Sequence, residues 1–522
     1  MRVRKVVVFF GVITCVWCSL PSDQDFWLRL AKEELEESLR VKWNLGIAKN
    51  VILFVGDGMG PNTVTAARIY KGGETHRLVF EKFPHMGMLK TYSANKMVPD
   101  SACSATALFC GVKANQETVG LDATVKHKDC PASLRPESRL NSLAALALKA
   151  GKSAGLVTTA RVTHATPGPL YAHSADRKWE CEDEMPSEAA KCKDIARQLV
   201  EDWPGRDLHV VLGGGRQVLV SNSSGSPADP LDTWSCISKD GRNLINKYKE
   251  DKKSRGLKYS FVSNSKELKE LNAAKTDYLL GIFANGHLMF EHERNKGPEG
   301  MPSISDMVEA SIKVLQKNKN GYFLMVEGAK IDLAHHRGWA KRAVDETVAM
   351  ENAVQLAMSM TDERDTLIIV TSDHTHTLSI NGYPYRGTNI FGVVGPSNYD
   401  GVNYTTLSYG TGGPGAFQYY IETVGNESKV IRKDASLEDT DRFDYEQISA
   451  IRLIENSHGG GDVAIYARGP HSHLFHNVHE QHYVYHAISY AAKIGAYSDA
   501  NINSSNYTII TILLAFTIFV TL

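Results

Sequence analysis

The sequence predicts an α/β fold, with a large central, mainly parallel β-sheet flanked by helices on both faces and one inserted lobe. Three observations carry this. Six apolar, β-rich runs recur at 51–55, 154–159, 209–215, 322–327, 366–373 and 462–467. Their unbroken apolarity is that of strands buried on both faces, as parallel strands are. Helical patterns fall between the runs, at 140–150, 306–317 and 339–360, which is the βα alternation of a sheet covered on both sides. Residues 382–457 break the alternation. They are rich in Gly, Tyr, Asn and Ser, with GTGGPG at 410–415 and LEDTDRFDYE at 437–446, and read as the inserted lobe.

The remaining elements follow in chain order. Arg2, Arg4 and Lys5 precede an apolar run that reaches Trp17, so residues 1–18 read as a secretory signal peptide. A charged amphipathic helix is expected at 26–42, and the core then runs over 19–381 and resumes over 458–498. Residues 507–522 are apolar and uncharged, end without basic residues and follow the small, polar stretch SDANINSSN. That pattern is a GPI-attachment signal, with 499–522 removed and the attachment residue between 498 and 505. The two ends together place the mature protein on the extracellular face of the plasma membrane, GPI-anchored. Asn222, Asn403 and Asn426 each open an Asn-X-Ser/Thr acceptor and are expected on exposed loops. Cys130, Cys181, Cys192 and Cys236 lie in polar surroundings suited to pairing, whereas Cys103 and Cys110 lie in an Ala-rich helix and read as buried thiols. With 58 Lys plus Arg against 59 Asp plus Glu, the chain has no basic excess, and no nucleic-acid partner is expected. At 43% hydrophobic residues it is not a disordered chain, and it lacks the several long apolar runs of a polytopic membrane protein.

Ligands of open α/β sheets bind beyond the carboxyl ends of the strands. Asp57 follows the first run, Glu327 ends the fourth with Asp332 and His336 soon after, Asp373 and His374 follow the fifth, and His458 precedes the sixth. Carboxylates and imidazoles without thiolates suit zinc together with magnesium. Taken singly each has a plainer reading: Asp57 as a turn residue, Glu327 as a cap or ion-pair partner, Asp332 and His336 as a helical i,i+4 pair. Their common placement at strand ends argues for a site. In residues 97–113 an Ala-rich helix starts at Pro99 and Asp100 with Ser101 in its first turn. A helix N-terminus favours a serine alkoxide and an incoming phosphate, although Asp-Ser is also a good N-cap. The stretch 158–179 supplies His164, Thr166, His173 and Arg177 after a strand. An arginine fork matches two phosphate oxygens, while alone Arg177 reads as a surface charge and Thr166 as a turn residue.

FVGDGMG at 54–60, VPDSACSATA at 98–107, TTARVTHATP at 158–167, VEGAKID with the histidine pair at 326–336, TSDHTHTLSINGYPYRG at 371–387 and SHGGGDVAIYARGP at 457–470 occur in this order. In these motifs the chain resembles the animal membrane-bound, GPI-anchored alkaline phosphatases, from about residue 27 to 498. The resemblance implies hydrolysis of phosphate monoesters through a phosphoserine on Ser101, with Arg177 clamping the phosphate. It implies two Zn2+ and one Mg2+. Asp332, His336 and His458 would hold one zinc, and Asp57, Asp373 and His374 the other. Asp57, Glu327 and Thr166 would hold magnesium, with His164 and His335 as outer groups near the metals. It further implies a homodimer, with the N-terminal helix reaching the partner and the 382–457 lobe near the dimer axis, and a Cys130–Cys192 disulfide.

The chain departs from the family in four places. The family's Ser-Ala-Gly-Thr becomes Ser101-Ala102-Cys103-Ser104, and the histidine expected after the zinc aspartate is Leu333. A Phe-Glu pair has become Phe283-Ala284 and a downstream aspartate is Met301, which puts a Ca2+ site in doubt. The family's C-terminal cysteines are missing, while Cys181 and Cys236 are candidates for a pair special to this chain. Two rival readings remain: a GPI-anchored surface binding protein with a vestigial phosphatase site, and a phosphodiesterase of the same superfamily. A full ligand set argues against the first, and the magnesium residues Thr166 and Glu327 against the second.

Overall fold

A computed structural model describes residues 23–498; the expected signal peptide and the 499–522 propeptide lie outside the described residues. Ten strands form the central sheet. In chain order they are β1 (Asn50–Gly56), β2 (His85–Lys90), β3 (Ser153–Arg161), β4 (Val210–Gly214), β5 (Tyr259–Val262), β6 (Tyr278–Ile282), β7 (Tyr322–Gly328), β8 (Thr366–Thr371), β9 (Val463–Arg468) and β10 (Asn477–Glu480). Their spatial order is β10-β2-β9-β8-β1-β7-β3-β4-β6-β5.

Nine strands run one way, and β9 runs antiparallel between β2 and β8. All six apolar runs are strands of this sheet, but the expectation that the sixth is parallel is corrected. An apolar run reports burial on both faces, not direction, and β9, buried at five of its six residues, nearly matches the fully buried β8 beside it.

Alternate side chains of the inner strands divide between two cores. Val51, Leu53, Val55, Phe323, Met325, Leu367 and Ile369 face one cluster, and Ile52, Phe54, Leu324, Val326, Ile368 and Val370 face the other. Helices α3 (Ser101–Cys110) and α7 (Tyr483–Ala491) cover the first face; α2 (Pro61–Gly72), α4 (Ile304–Leu315) and α6 (Ala340–Met360) cover the second. The termini of these helices are specified locally. Asp100 caps α3 by accepting from the Ala102 and Cys103 amides at 3.3 Å, and Ser303 with Asp306 forms a reciprocal capping box on α4. The expected N-terminal helix is α1 (Gln24–Leu39), which buries none of its residues in this chain.

Residues 382–457 add short strands outside the main sheet. Leu378–Ile380, Leu407–Gly412 and Ser449–Arg452 form a three-stranded sheet, and Tyr419–Val424 pairs with Glu427–Arg432 as a hairpin. Among the expected glycan acceptors, Asn222 and Asn426 are exposed, the latter in the hairpin turn beside Gly425. Asn403 is half-buried on a strand, and its Nδ2 donates to Asp434 Oδ2 at 3.1 Å and Ser436 Oγ at 3.2 Å. A glycan there replaces one of the two Nδ2 hydrogens and so has to displace at least one of these bonds. Among the described residues no helix is long and apolar enough to cross a membrane.

Candidate active site

Register in the sheet builds the site. Val55 of β1 pairs with Glu327 of β7 and with Thr371 of β8, so Asp57 and Asp373 leave adjacent parallel strands at one level and Glu327 ends the third two residues earlier. Thr158 of β3 pairs with Glu327 in turn, and its Oγ1 donates to Glu327 Oε2 at 2.5 Å. Beyond β7 a short helix, α5 (Lys330–His336 in the chain between α4 and α6), carries Asp332 and His336 one turn apart. His458 arrives from the far end of the sequence through a two-residue bridge in which His458 pairs with His376.

The ring contacts report what the site holds. His336 Nδ1 lies 2.7 Å from the Asn456 carbonyl oxygen and His458 Nδ1 2.8 Å from that of Pro99. A carbonyl only accepts, so each ring donates from Nδ1, and in a neutral ring the lone pair then sits on Nε2. These Nε2 atoms face each other at 3.2 Å, with Asp332 oxygens 3.3 Å from the first and 3.5 Å from the second. Converging acceptors require a cation. A proton on His336 is one answer: burial opposes it, yet Asp332 raises that ring to about 9. No ring takes the proton at the neighbouring cluster, where His374 Nε2 stands 3.4 Å from Asp57 Oδ1 and 3.3 Å from Asp373 Oδ2, because burial pushes His374 down to about 3. Burial also pushes the Asp373 carboxyl up to about 7, and burial with the charges of Asp332 and Asp373 pushes Asp57 up. So many buried carboxylates cannot ionise together without compensating cations. A tetrahedral ion with ligand bonds of about 2.0–2.1 Å sets ligand-to-ligand edges of about 3.3–3.4 Å, close to the spacing in both clusters.

A third group is rich in oxygen, with the Thr166 hydroxyl added to the carboxylates of Asp57 and Glu327 and the His164 ring beside them. Asp57 Oδ2 accepts from Thr166 Oγ1 at 3.5 Å, and Asp57, His164 and Glu327 offer atoms within 4.8 Å of one another. Glu327 Oε1 is buried with no hydrogen-bond partner among the described residues, and burial raises this carboxyl to about 7. An orphaned buried carboxylate oxygen beside a second carboxylate fits a hard cation such as magnesium.

Ser101, the first residue of α3, places its Oγ 3.1 Å from His374 Nε2 and 3.5 Å from Asp57 Oδ1. Arg177 Nη1 donates to Asp100 Oδ2 at 3.1 Å, which ties the guanidinium to the cap of the same helix. Although half-buried, Arg177 stays cationic, because Asp100 outweighs the desolvation. Its Nη2 lies 3.4 Å from His164 Nε2, and burial, then Arg161 and Arg177, push His164 down to about 3, so that ring is neutral. Asp100, His164, Arg177, His336 and His458 line a cavity of about 770 Å³.

Comparison with known proteins decides the family. A family model described as alkaline phosphatase matches residues 48–494. The chain belongs to the alkaline phosphatase family. It is 44% identical to the tissue-nonspecific alkaline phosphatase of Gallus gallus over 484 residues, covering 91% of this chain and 90% of that one. It is 39% identical to a membrane-bound alkaline phosphatase of Bombyx mori over 488 residues, covering 91% and 86%. Among solved structures, Thermus thermophilus alkaline phosphatase superposes with a TM-score of 0.60 at 23% identity, covering 86% of this chain and 92% of that one, and supports the fold.

In this alkaline phosphatase the structure gathers Asp57, Ser101, His164, Thr166, Arg177, Glu327, Asp332, His336, Asp373, His374 and His458 around one centre. His335 turns away from it. Its ring bonds Thr63 Oγ1 at 2.9 Å and Tyr409 Oη at 2.6 Å, and reaches the centre only by stacking on His376. His173 bonds the Leu140 carbonyl at 2.9 Å, outside the site. His376 was missed from sequence. Its Nε2 lies 2.5 Å from Asp332 Oδ1 and its Nδ1 2.6 Å from Asn456 Oδ1, so it orients the carboxylate. The available signal was the alternation Asp373-His374-Thr375-His376, whose second histidine returns to the same side of an extended chain.

Ala284 and Met301, at the positions where the resemblance led carboxylates to be expected, are buried in an apolar cluster with Phe283. Cys103 and Cys110 are buried free thiols, and Cys103 Sγ donates to the Asp100 carbonyl at 3.2 Å. Disulfides join Cys130 to Cys192 and Cys181 to Cys236. The second anchors Trp234 and Ser235 at the cavity rim. The pair closes a loop of 55 residues, and Cys181→Ser with Cys236→Ser is expected to lower stability by about 2–4 kcal/mol, read from the denaturation midpoint. An unchanged midpoint would mean that the bond contributes nothing.

Proposed function

We propose that this chain hydrolyses phosphate monoesters through a phosphoserine on Ser101, at a centre of two Zn2+ and one Mg2+. Phosphoric monoester hydrolysis is the activity of its family. The observation that carries the finer reading is Ser101 Oγ, 3.1 Å from one proposed metal ligand and 3.5 Å from another, at the N-terminus of α3.

Asp332, His336 and His458 would hold one zinc, Asp57, Asp373 and His374 the other, and Asp57, Thr166 and Glu327 the magnesium. When bound, such ions neutralise phosphoryl charge and stabilise the entering and leaving oxygens as Lewis acids. The protein supplies the rest. Arg177, held by Asp100, presents a planar pair of donors that matches two phosphate oxygens. The first amides and the dipole of α3 favour negative charge at Ser101. Its oxygen attacks phosphorus in line and the alcohol departs; water then takes the phosphoryl group from Ser101, whose oxygen recovers a proton. A binding protein with a vestigial site has no need of eight intact ligands, Asp332 and Asp373 among those buried. Without carboxylates at 284 and 301, calcium has no place in this reading.

The test is release of a chromogenic alcohol from its phosphate monoester at alkaline pH, with chelator and with zinc plus magnesium restored. Turnover lost and regained supports the reading; no turnover with zinc shown bound would sink it.

The homodimer is proposed on α1, which leaves Leu28, Leu35 and Leu39 59%, 59% and 76% exposed in a single chain. GPI anchoring on the extracellular face is proposed from the chain's ends, and the named membrane-bound relative supports membrane attachment. A phosphatidylinositol-specific phospholipase C is expected to release the activity from cells. Activity that stays with the membrane after that treatment argues for a retained span.

A further inference from the structure

Outside the centre, one more set of side chains has the chemistry and spacing of a metal site. Glu117, His127 and Asp176 each offer one atom, all within 4.8 Å of one another. His127 Nε2 lies 3.3 Å from Glu117 Oε2 and 3.0 Å from Asp176 Oδ2. We infer that this triad is a separate metal site of the zinc class, at the rim of the active cavity. It stands on its own residues and not on the reaction assigned to Ser101.

The spacing is close to the edge of a tetrahedron with bonds of about 2.0–2.1 Å, and it repeats that between Asp332, His336 and His458. One imidazole with two carboxylates is a zinc donor set, whereas magnesium and calcium favour oxygen throughout. The ligands divide as an anchored one and two accessible ones. The Asp176 side chain is 2% exposed, and its Oδ1 accepts from the Lys178 amide at 2.9 Å, which aims Oδ2 at His127. Glu117 and His127 are 37% and 38% exposed, so an ion can enter and a water can complete its shell. Lys128, 3.9 Å from Asp176 and largely exposed, is the competing cation and a weak one in solvent.

The triad also has a route to the phosphate clamp. The Glu117 amide donates to Asp100 Oδ1 at 2.9 Å, its carbonyl accepts from the Arg177 amide at 2.8 Å, and Asp176 directly precedes Arg177. Glu117 holds this position with φ +66°, a left-handed conformation in a residue other than glycine. An ion across the triad therefore ties the His127 segment to the two that bear on Arg177, at Glu117 and Asp176.

Without a metal, a protonated His127 would form the same two contacts, and the experiment separates the two. Protein carrying its zinc and magnesium is crystallised with added zinc, and diffraction is measured on both sides of the zinc edge. The expected result is an anomalous peak about 2.0–2.2 Å from His127 Nε2 and from an oxygen of Glu117 and of Asp176. In solution, elemental analysis is expected to count one zinc fewer per chain in His127→Ala and in Glu117→Gln, with folding checked by circular dichroism. Both positions are half-exposed, so at least one variant is expected to fold. An unchanged zinc count in a folded variant, or no peak at the triad while the main centre is filled, overturns the inference.

Discussion

Ser101→Ala is expected to reduce turnover by about 10⁴- to 10⁶-fold and to abolish the phosphoenzyme trapped on acid quenching. The size follows from what is removed. Among the described residues no other hydroxyl is hydrogen-bonded to both His374 and Asp57; Ser104, one turn on, instead faces Asp373 and the Asp100 carbonyl. Zinc content should be unchanged, since Asp57, Asp373 and His374 remain in place. The discriminating measurement is therefore double: phosphate incorporation and metal content on the same sample. Phosphoserine recovered from another residue would refute the role of Ser101, whereas loss of zinc along with activity would recast it as a structural group.

Asp57→Ala should be nearly as damaging, by a different route. One oxygen of Asp57 faces His374 and Ser101, while the other accepts from Thr166 in the group that contains Glu327. The variant is expected to lose one zinc and the magnesium together. His458→Ala, by contrast, should cost one zinc only, because that ring touches Asp332 and His336 but neither Thr166 nor Glu327. Elemental analysis of the two variants side by side tests the shared-ligand geometry. If Asp57→Ala keeps its magnesium, the bridging role falls.

Much of this arrangement was legible in the amino-acid sequence, for a definite reason. The inner strands are buried on both faces, so 51–55, 322–327 and 366–371 read as unbroken apolar runs, and the ligands sit at their ends. Of the four unread strands, β6 (YLLGI) is an apolar run buried at four of its five residues and was simply passed over, while the other three carry weaker signals. β10 (NVHE) and β5 (YSFV) are the two edges of the sheet and are only partly buried, and β2 (HMGMLK) is half-exposed. The direction of β9 was invisible because a strand's composition records its surroundings and not its polarity. His376 escaped because its role is to orient Asp332, and a sequence shows candidate ligands more readily than the groups that steer them.

The placement of β9 bears on how the chain is made. Its partner β8 ends at residue 371, yet β9 begins only at 463, so during vectorial synthesis one flank of the innermost strands waits for most of the remaining chain. Until then β8 presents a row of unpaired amides and carbonyls, the feature that recruits foreign strands. A polypeptide stalled before residue 463 should accordingly be a client of folding helpers rather than a shortened enzyme. Since His458 closes the centre just upstream of that strand, acquisition of activity would time the pairing of β9 in the nascent protein.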